Sequence, residues 1–124
     1  MKELDGALKK ENTKPASLVQ ENRNKAIPKK VFASDYEIIR EYAFHNDITM
    51  IETTERILDF LEEQNIRDYN DYFKNTKERS EEVKSMRMSK AFFQKIKKIN
   101  HITRIPMLQV ISFCIEKTIT NKQI

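Results

Sequence analysis

The chain has 124 residues, of which 39% are hydrophobic and 34% are charged, and it contains one glycine and three prolines. This length suits one ordinary domain or two very small ones, and the scarcity of glycine and proline argues against a turn-rich β architecture. The single cysteine, Cys114, excludes an intramolecular disulfide, and no apolar stretch has the roughly 20 residues of a membrane span or resembles a signal peptide. We therefore expect a mainly α-helical, cytoplasmic protein.

The net charge of +4 is unevenly distributed along the chain. Residues 26–66 contain four basic and nine acidic side chains, whereas residues 83–124 contain nine basic side chains and one acid, Glu116. A net charge of +8 on about 40 residues favours a polyanionic partner. The acidic segment is not expected to make an equal contact with that partner.

Residues 1–26 show no sustained apolar period and are interpreted as a flexible polar tail. After this tail, residues 29–33 are a short strand candidate. Ser34 or Asp35 can then cap a helix that ends where Asn46 and Asp47 interrupt the apolar pattern.

A second helical pattern follows, with Thr49 as a good N-cap and Glu52 three residues later, which together form a capping box. We assign residues 27–64 to a first unit. The polar residues 65–82 form a connector, and its aromatic side chains are expected to dock on a flanking unit.

The second unit, residues 83–124, begins with an alternating run from Val83 to Ser89 that predicts a β-strand. Ser89 is suited to cap a helix, and Pro106 suits the first turn of a final helix. The helices of the two units align without a gap when Ile39 is placed against Ile96, which favours an internal duplication. The strands then fall out of step by two positions, if Ser34 and Ser89 play the same part.

The sequence Ser85-Met86-Arg87-Met88-Ser89, followed by a helical pattern with Phe92 and Ile96, resembles the ribbon-helix-helix superfamily of DNA-binding proteins. Two such units in one chain resemble the tandem, TraY-like arrangement of conjugative relaxosome proteins. The resemblance implies a short β-ribbon formed by two tandem ribbon-helix-helix-like units, paired within one chain as a pseudo-dimer or between chains as a homodimer.

In that family, strands paired into a ribbon enter the DNA major groove, and the start of the second helix binds a phosphate. The resemblance therefore implies that outward strand side chains contact bases and that Met86 and Met88 face the core. The implied base contacts are Ser85, Arg87 and Lys30. In the first strand, either Lys30 and Phe32 or Val31 and Ala33 point outward, depending on the register.

Phosphate contacts are expected from basic side chains and from the starts of the second helices. These candidates are Lys84, Lys90, Lys97, Lys98, Arg104, Met107 and Thr49. Lys84 stands where the family usually has a buried apolar residue.

Candidates for catalysis are few in this sequence. His45, His101 and Cys114 have no metal-binding spacing, and Cys114 falls on an apolar helical stripe. We therefore expect no enzyme activity, metal or cofactor.

The activity that the resemblance implies is sequence-specific binding to double-stranded DNA. Two roles fit that activity, a relaxosome accessory protein or a transcriptional repressor of a mobile element, with plasmid antitoxin and partition proteins as variants. The alternative is a protein-docking module for a relaxase, a toxin or another partner, formed by the acidic first unit, with only nonspecific DNA affinity.

Overall fold

The computed structural model describes residues 25–124, and the expected polar tail therefore lies outside the described residues except at its last two positions. The fold is mainly helical and contains a two-stranded antiparallel sheet. In chain order the elements are β1 (Ala26–Phe32), α1 (Ala33–Asn46), α2 (Met50–Glu63), α3 (Tyr69–Tyr72), β2 (Val83–Ser89), α4 (Lys90–Thr103) and α5 (Met107–Ile115), continued by a π-helical turn (Glu116–Thr120).

The two strands form an antiparallel ribbon whose central pair is Lys29 and Met86. Side chains alternate between the faces of a strand, and Val31, Met86 and Met88 are buried beneath the ribbon. The predicted strand at Val83–Ser89 and the inward direction of the two methionines are confirmed. The first strand begins at Ala26, earlier than expected.

Local capping explains where the helices begin. The Thr49 side chain accepts a hydrogen bond from the Glu52 N–H, and the Glu52 carboxylate accepts one from the Thr49 N–H, so the capping box is confirmed. Ser89 caps α4 through the Phe92 N–H, also as predicted. The expected cap at Ser34 or Asp35 is wrong, because β1 runs directly into α1 and Phe32 occupies the N-cap position.

The element bounds of residues 26–63 recur in residues 83–120 at a constant offset, so that Ala26 is equivalent to Val83 and Met50 to Met107. This holds for both strands, for both long helices that follow them, and for the second helices when the π-helical turn is included. The expected two-position offset between the strands is therefore wrong. It came from equating Ser34 with Ser89, whereas the residue equivalent to Ser89 is Phe32.

The two halves, residues 26–63 and residues 83–120, exchange packing partners beneath the ribbon. Helix α2 packs against β2, and α5 packs against β1. A buried hydrogen bond from the Ser89 N–H to the Thr54 hydroxyl, 3.0 Å long, joins α2 to the far strand. One hydrophobic core results, with the fully buried Ile39, Ile57, Ile96 and Ile99 among its members.

The connector contributes to this core as well. Phe73 is completely buried, and its ring centroid lies 4.9 Å from that of Phe113 in α5. Tyr69 and Tyr72 are half-buried around it. The docking of connector aromatics is therefore observed, and this docking fixes the path of the chain between the halves.

Arg79 closes the connector against both halves. Its guanidinium donates hydrogen bonds to Ser34 in α1, to Ser112 in α5 and to Glu81. The same group lies 4.6 Å from the centroid of the Phe32 ring. By alternation Phe32 belongs with Pro28 and Lys30 on the outward side of β1. It is nevertheless buried, because the Arg79 side chain covers its ring.

No helix within residues 25–124 is both long enough and apolar enough to cross a membrane.

Candidate nucleic-acid interface

One face of the ribbon is open to solvent and carries side chains from both strands. We define the outward face as Pro28, Lys30, Ser85 and Arg87, all of which are exposed. In the antiparallel register Lys30 lies opposite Ser85, and Pro28 lies opposite Arg87. The structure therefore brings the three predicted base-contact residues, Lys30, Ser85 and Arg87, onto one surface.

The register of the first strand, which the sequence left open, follows from burial. Val31 has no exposed surface and faces the core, so Lys30 points outward. The constant offset between the halves makes Lys30 equivalent to Arg87 and Pro28 equivalent to Ser85. A basic side chain therefore stands on each side of the ribbon's centre.

A groove beside the ribbon collects three lysines. Lys29, Lys90 and Lys97 surround the half-buried ring of Phe93, and the groove has a volume of about 470 Å³. The Lys29 ammonium lies 4.4 Å from the centroid of that ring. Lys90 and Lys97 were expected to contact phosphates, whereas Lys29 was missed because it belongs to the inward-pointing set of its strand. The sequence did contain a signal, because positions 29 and 30 are both charged, whereas a strand with one buried face normally alternates polar and apolar residues.

Other predicted phosphate contacts have partners within the protein. The Lys84 ammonium lies 3.4 Å from the Glu37 carboxylate and 4.8 Å from the centroid of the Tyr36 ring. Lys84 thus lies along α1 and away from the outward face. Lys98 extends over the Tyr69 ring at 5.7 Å, beside Lys95, whose ammonium donates to the Tyr69 hydroxyl.

The starts of the two second helices differ in charge. At α2 the Glu52 carboxylate sits on the N-terminal turn, and Asp47 precedes it. At α5 the first turn contains no acid, the equivalent of Asp47 is Arg104, and no described residue accepts a hydrogen bond from the N–H groups of Met107 or Leu108. A helix N-terminus of this kind favours anions. Thr49 is already engaged by Glu52, so the two predicted phosphate sites are not equivalent.

The residues considered for catalysis are dispersed. Cys114 is fully buried, and burial raises the pKa of its thiol far above the usual range, which disfavours the reactive thiolate. Within residues 25–124, no three or more His, Cys, Asp or Glu side chains form a group that could hold a metal ion.

A second groove, lined mainly by α1, contains carboxylates instead of lysines. It has an apolar floor that includes Ile38, Tyr42 and Ile119, an acidic rim of Glu37 and Glu41, and a volume of about 430 Å³. Nearby, Phe44 exposes 79% of its surface. We call this surface the acidic groove.

Comparisons with known proteins add no relative to these observations. No protein-family model, no curated protein and no solved structure matches the chain.

Proposed function

We propose that this protein binds double-stranded DNA by inserting the outward face of its ribbon into the major groove. In this proposal the chain consists of two tandem ribbon-helix-helix-like units that form a pseudo-dimer internally. The major groove admits a two-stranded β-ribbon, and its base edges offer hydrogen-bond patterns that distinguish all four base pairs. The observation that carries the proposal is that Lys30, Ser85 and Arg87 are exposed together on one ribbon face while Met86 and Met88 anchor the other side.

The pseudo-dimer is supported by the pairing geometry. Lys29 and Met86 occupy equivalent positions in the two halves, and they also face each other at the centre of the ribbon. The crossed packing of α2 on β2 and of α5 on β1 is what an intertwined dimer within one chain requires. On this basis a single chain suffices to form the DNA-binding ribbon.

The charge distribution supplies the second argument. Helix α4 contains four lysines and no acid, and two of these lysines line the groove beside the ribbon. Lysines that neutralise phosphates release counterions and make DNA affinity fall steeply with salt. Lys90 and Lys97 lie next to one end of the ribbon, which suits contacts to the DNA backbone on that side of the major groove.

The biological role follows from the resemblance in the strand and helix pattern. Ribbon-helix-helix proteins of the tandem type are expected to serve as relaxosome accessory proteins or as transcriptional repressors of mobile elements. One fold supports both roles, so the position of the bound DNA, beside a transfer origin or a promoter, decides between them.

The test measures binding of the full chain to duplexes selected from a random library, by gel shift and fluorescence anisotropy. We expect enriched sequences and a specificity ratio well above one. Arg87→Ala should weaken binding to the selected duplex by roughly 5- to 150-fold, because a bidentate arginine–guanine contact is worth about 1–3 kcal/mol. Arg40→Ala, on the exposed surface of α1, is the matched control and should change little. A ratio near one that Arg87→Ala leaves unchanged would eliminate base recognition.

The acidic groove favours a second candidate function, which is docking of a basic protein segment. Its apolar floor and the carboxylates of Glu37 and Glu41 suit an amphipathic helix that carries Lys or Arg beside its apolar face. Exposed Phe44 offers an additional apolar anchor. Calorimetric titration with such a helical peptide tests this function. Binding that is lost in Ile38→Glu, and retained in the distant Lys97→Ala variant, would support it.

A further inference from the structure

The two ends of the ribbon differ in chemistry although their backbones are equivalent. On one side of the central pair, the outward face presents Arg87 beside Pro28. On the other side it presents Lys30 beside Ser85. Arginine offers a planar fork of donors, whereas lysine offers a compact ammonium, and serine can donate and accept where proline has no polar side-chain atom.

The surroundings differ in the same direction. The Arg87 end lies beside the groove lined by Lys29, Lys90 and Lys97. At the opposite end, Lys84 is held by Glu37, and Ser34 is hydrogen-bonded to Glu81. Among the described residues, no carboxylate pairs with the three lysines at the first end, whereas at the second end Lys84 and Arg79 already pair with carboxylates. A phosphate is therefore attracted more strongly to the first end.

We propose that the preferred DNA target is non-palindromic and that the chain binds it in one fixed orientation. This inference rests on the proposed DNA-binding function. The half-site facing Arg87 contains a guanine in the major groove and is strongly specified, whereas the half-site facing Lys30 and Ser85 has a different sequence. An internal pseudo-dimer can hold two unlike readers in this way, whereas a dimer of identical chains presents the same residues to both half-sites.

The first experiment compares three duplexes built from the sequence enriched by the full chain. One keeps both half-sites, one is a palindrome of the Arg87 half-site, and one is a palindrome of the other half-site. We expect the original duplex to bind most tightly, by roughly 5- to 150-fold over the palindrome that lacks the Arg87 half-site. The double variant Pro28→Ser/Lys30→Arg makes the outward face similar at both ends. It should prefer the palindrome of the Arg87 half-site over the original duplex.

The second experiment determines orientation by tethered cleavage. Phe44 and His101 occupy equivalent positions in the two halves and both are exposed, while Cys114 is buried and does not compete for a thiol-reactive label. An iron chelate attached to Phe44→Cys should cleave one flank of the duplex, and one attached to His101→Cys should cleave the opposite flank. Cleavage of both flanks by each labelled protein, or enrichment of a palindrome, would overturn the fixed orientation while leaving DNA binding intact. Failure to enrich any sequence would overturn the proposed function itself.

Discussion

Residues 26–63 and residues 83–120 share their element bounds and differ in nearly every surface charge. The two long helices of the first half, residues 33–46 and 50–63, contain eight acids and two bases, whereas the equivalent residues 90–103 and 107–120 contain five lysines and one acid. Several buried positions stay apolar in both halves: Ile39 and Ile96, Ile57 and Cys114, and Leu58 and Ile115 are equivalent buried pairs. A small set of buried positions thus specifies the backbone, and the surface is free to acquire different partners.

The largest expected difference between equivalent positions lies at the centre of the ribbon. Met86 is 2% exposed, whereas its equivalent Lys29 is exposed and extends over Phe93. Met86→Ala should lower the free energy of unfolding by about 2–5 kcal/mol, because it leaves a cavity in the core. Lys29→Ala should cost at most about 1 kcal/mol, the usual value of an exposed cation–π contact. Urea denaturation followed by circular dichroism measures both, and equal losses would contradict the assignment of opposite environments.

The starts of the second helices give a smaller contrast. Thr49→Ala should destabilise the protein by about 1 kcal/mol through loss of the capping box and should leave DNA affinity unchanged. Gln109→Glu places at α5 the acid that Glu52 supplies at α2. It should leave the free energy of unfolding nearly unchanged. It should weaken DNA binding by roughly two- to fivefold, because the added carboxylate repels the phosphate and a charge at a helix N-terminus typically contributes about 0.3–1 kcal/mol.

Gln109→Ala is the matched control for that substitution, since it removes the amide without adding charge. If it weakens DNA binding as much as Gln109→Glu does, the glutamine side chain itself makes the contact. If neither variant affects binding, the start of α5 does not touch DNA.

Local signals allowed much of this fold to be predicted. Ser89, Thr49 and Glu52 act on N–H groups within one helical turn, so their roles are visible in sequence. The register of β1 was not, because Lys29 and Lys30 are both charged and conceal the alternation that a half-buried strand normally shows. The Arg79 contacts were also invisible, since the guanidinium reaches Ser34, 45 positions away, and Ser112, 33 positions away.

The grouping of Lys30 with Ser85 and Arg87 illustrates the same limit. The resemblance to a known motif proposed these residues, but their shared face depends on the pairing of two strands that lie far apart in the chain. Lys84 shows the converse, because its charge suggested a phosphate contact while its partners, Glu37 and Tyr36, come from a distant helix.

Salt dependence sharpens the contrast between the basic and acidic halves. Lys97 in α4 is equivalent to Arg40 in α1, and both are exposed. Each phosphate contact contributes about 0.9 to the slope of log affinity against log salt, so Lys90→Ala/Lys97→Ala should reduce the magnitude of that slope by about 1.8. Arg40→Ala should leave it unchanged. Anisotropy titrations between about 50 and 200 mM salt make the comparison, since a change in slope is readily resolved over this roughly fourfold range. A similar reduction for Arg40→Ala would contradict the prediction, because it would mean that α1 contacts phosphates as α4 does.

The smallest expected effect concerns pH and distinguishes two acids that share Arg79. Burial raises the pKa of Asp35 above its ordinary value, although the nearby Arg79 guanidinium opposes the rise. Oδ2 of Asp35 lies 3.5 Å from Nη1 of Arg79, and this contact offsets the cost of burying the carboxylate only in part. The folded protein then binds this proton more tightly than the unfolded chain does. The contribution of Asp35 to stability should therefore decline as pH rises from its ordinary pKa through the raised value.

Glu81 has the opposite sign, because its hydrogen bond from Arg79 lowers its pKa. Its contribution is present above the ordinary glutamate pKa and should be lost as pH falls toward the lowered value. Asp35→Asn should remove the first dependence, and Glu81→Gln should remove the second. Melting temperatures measured from pH 3 to pH 7, a range of about four units around the ordinary carboxylate pKa values, test both. If Asp35→Asn instead steepened the decline with rising pH, Asp35 would be a stabilising carboxylate, and the contact between the connector and α1 would depend on its charge.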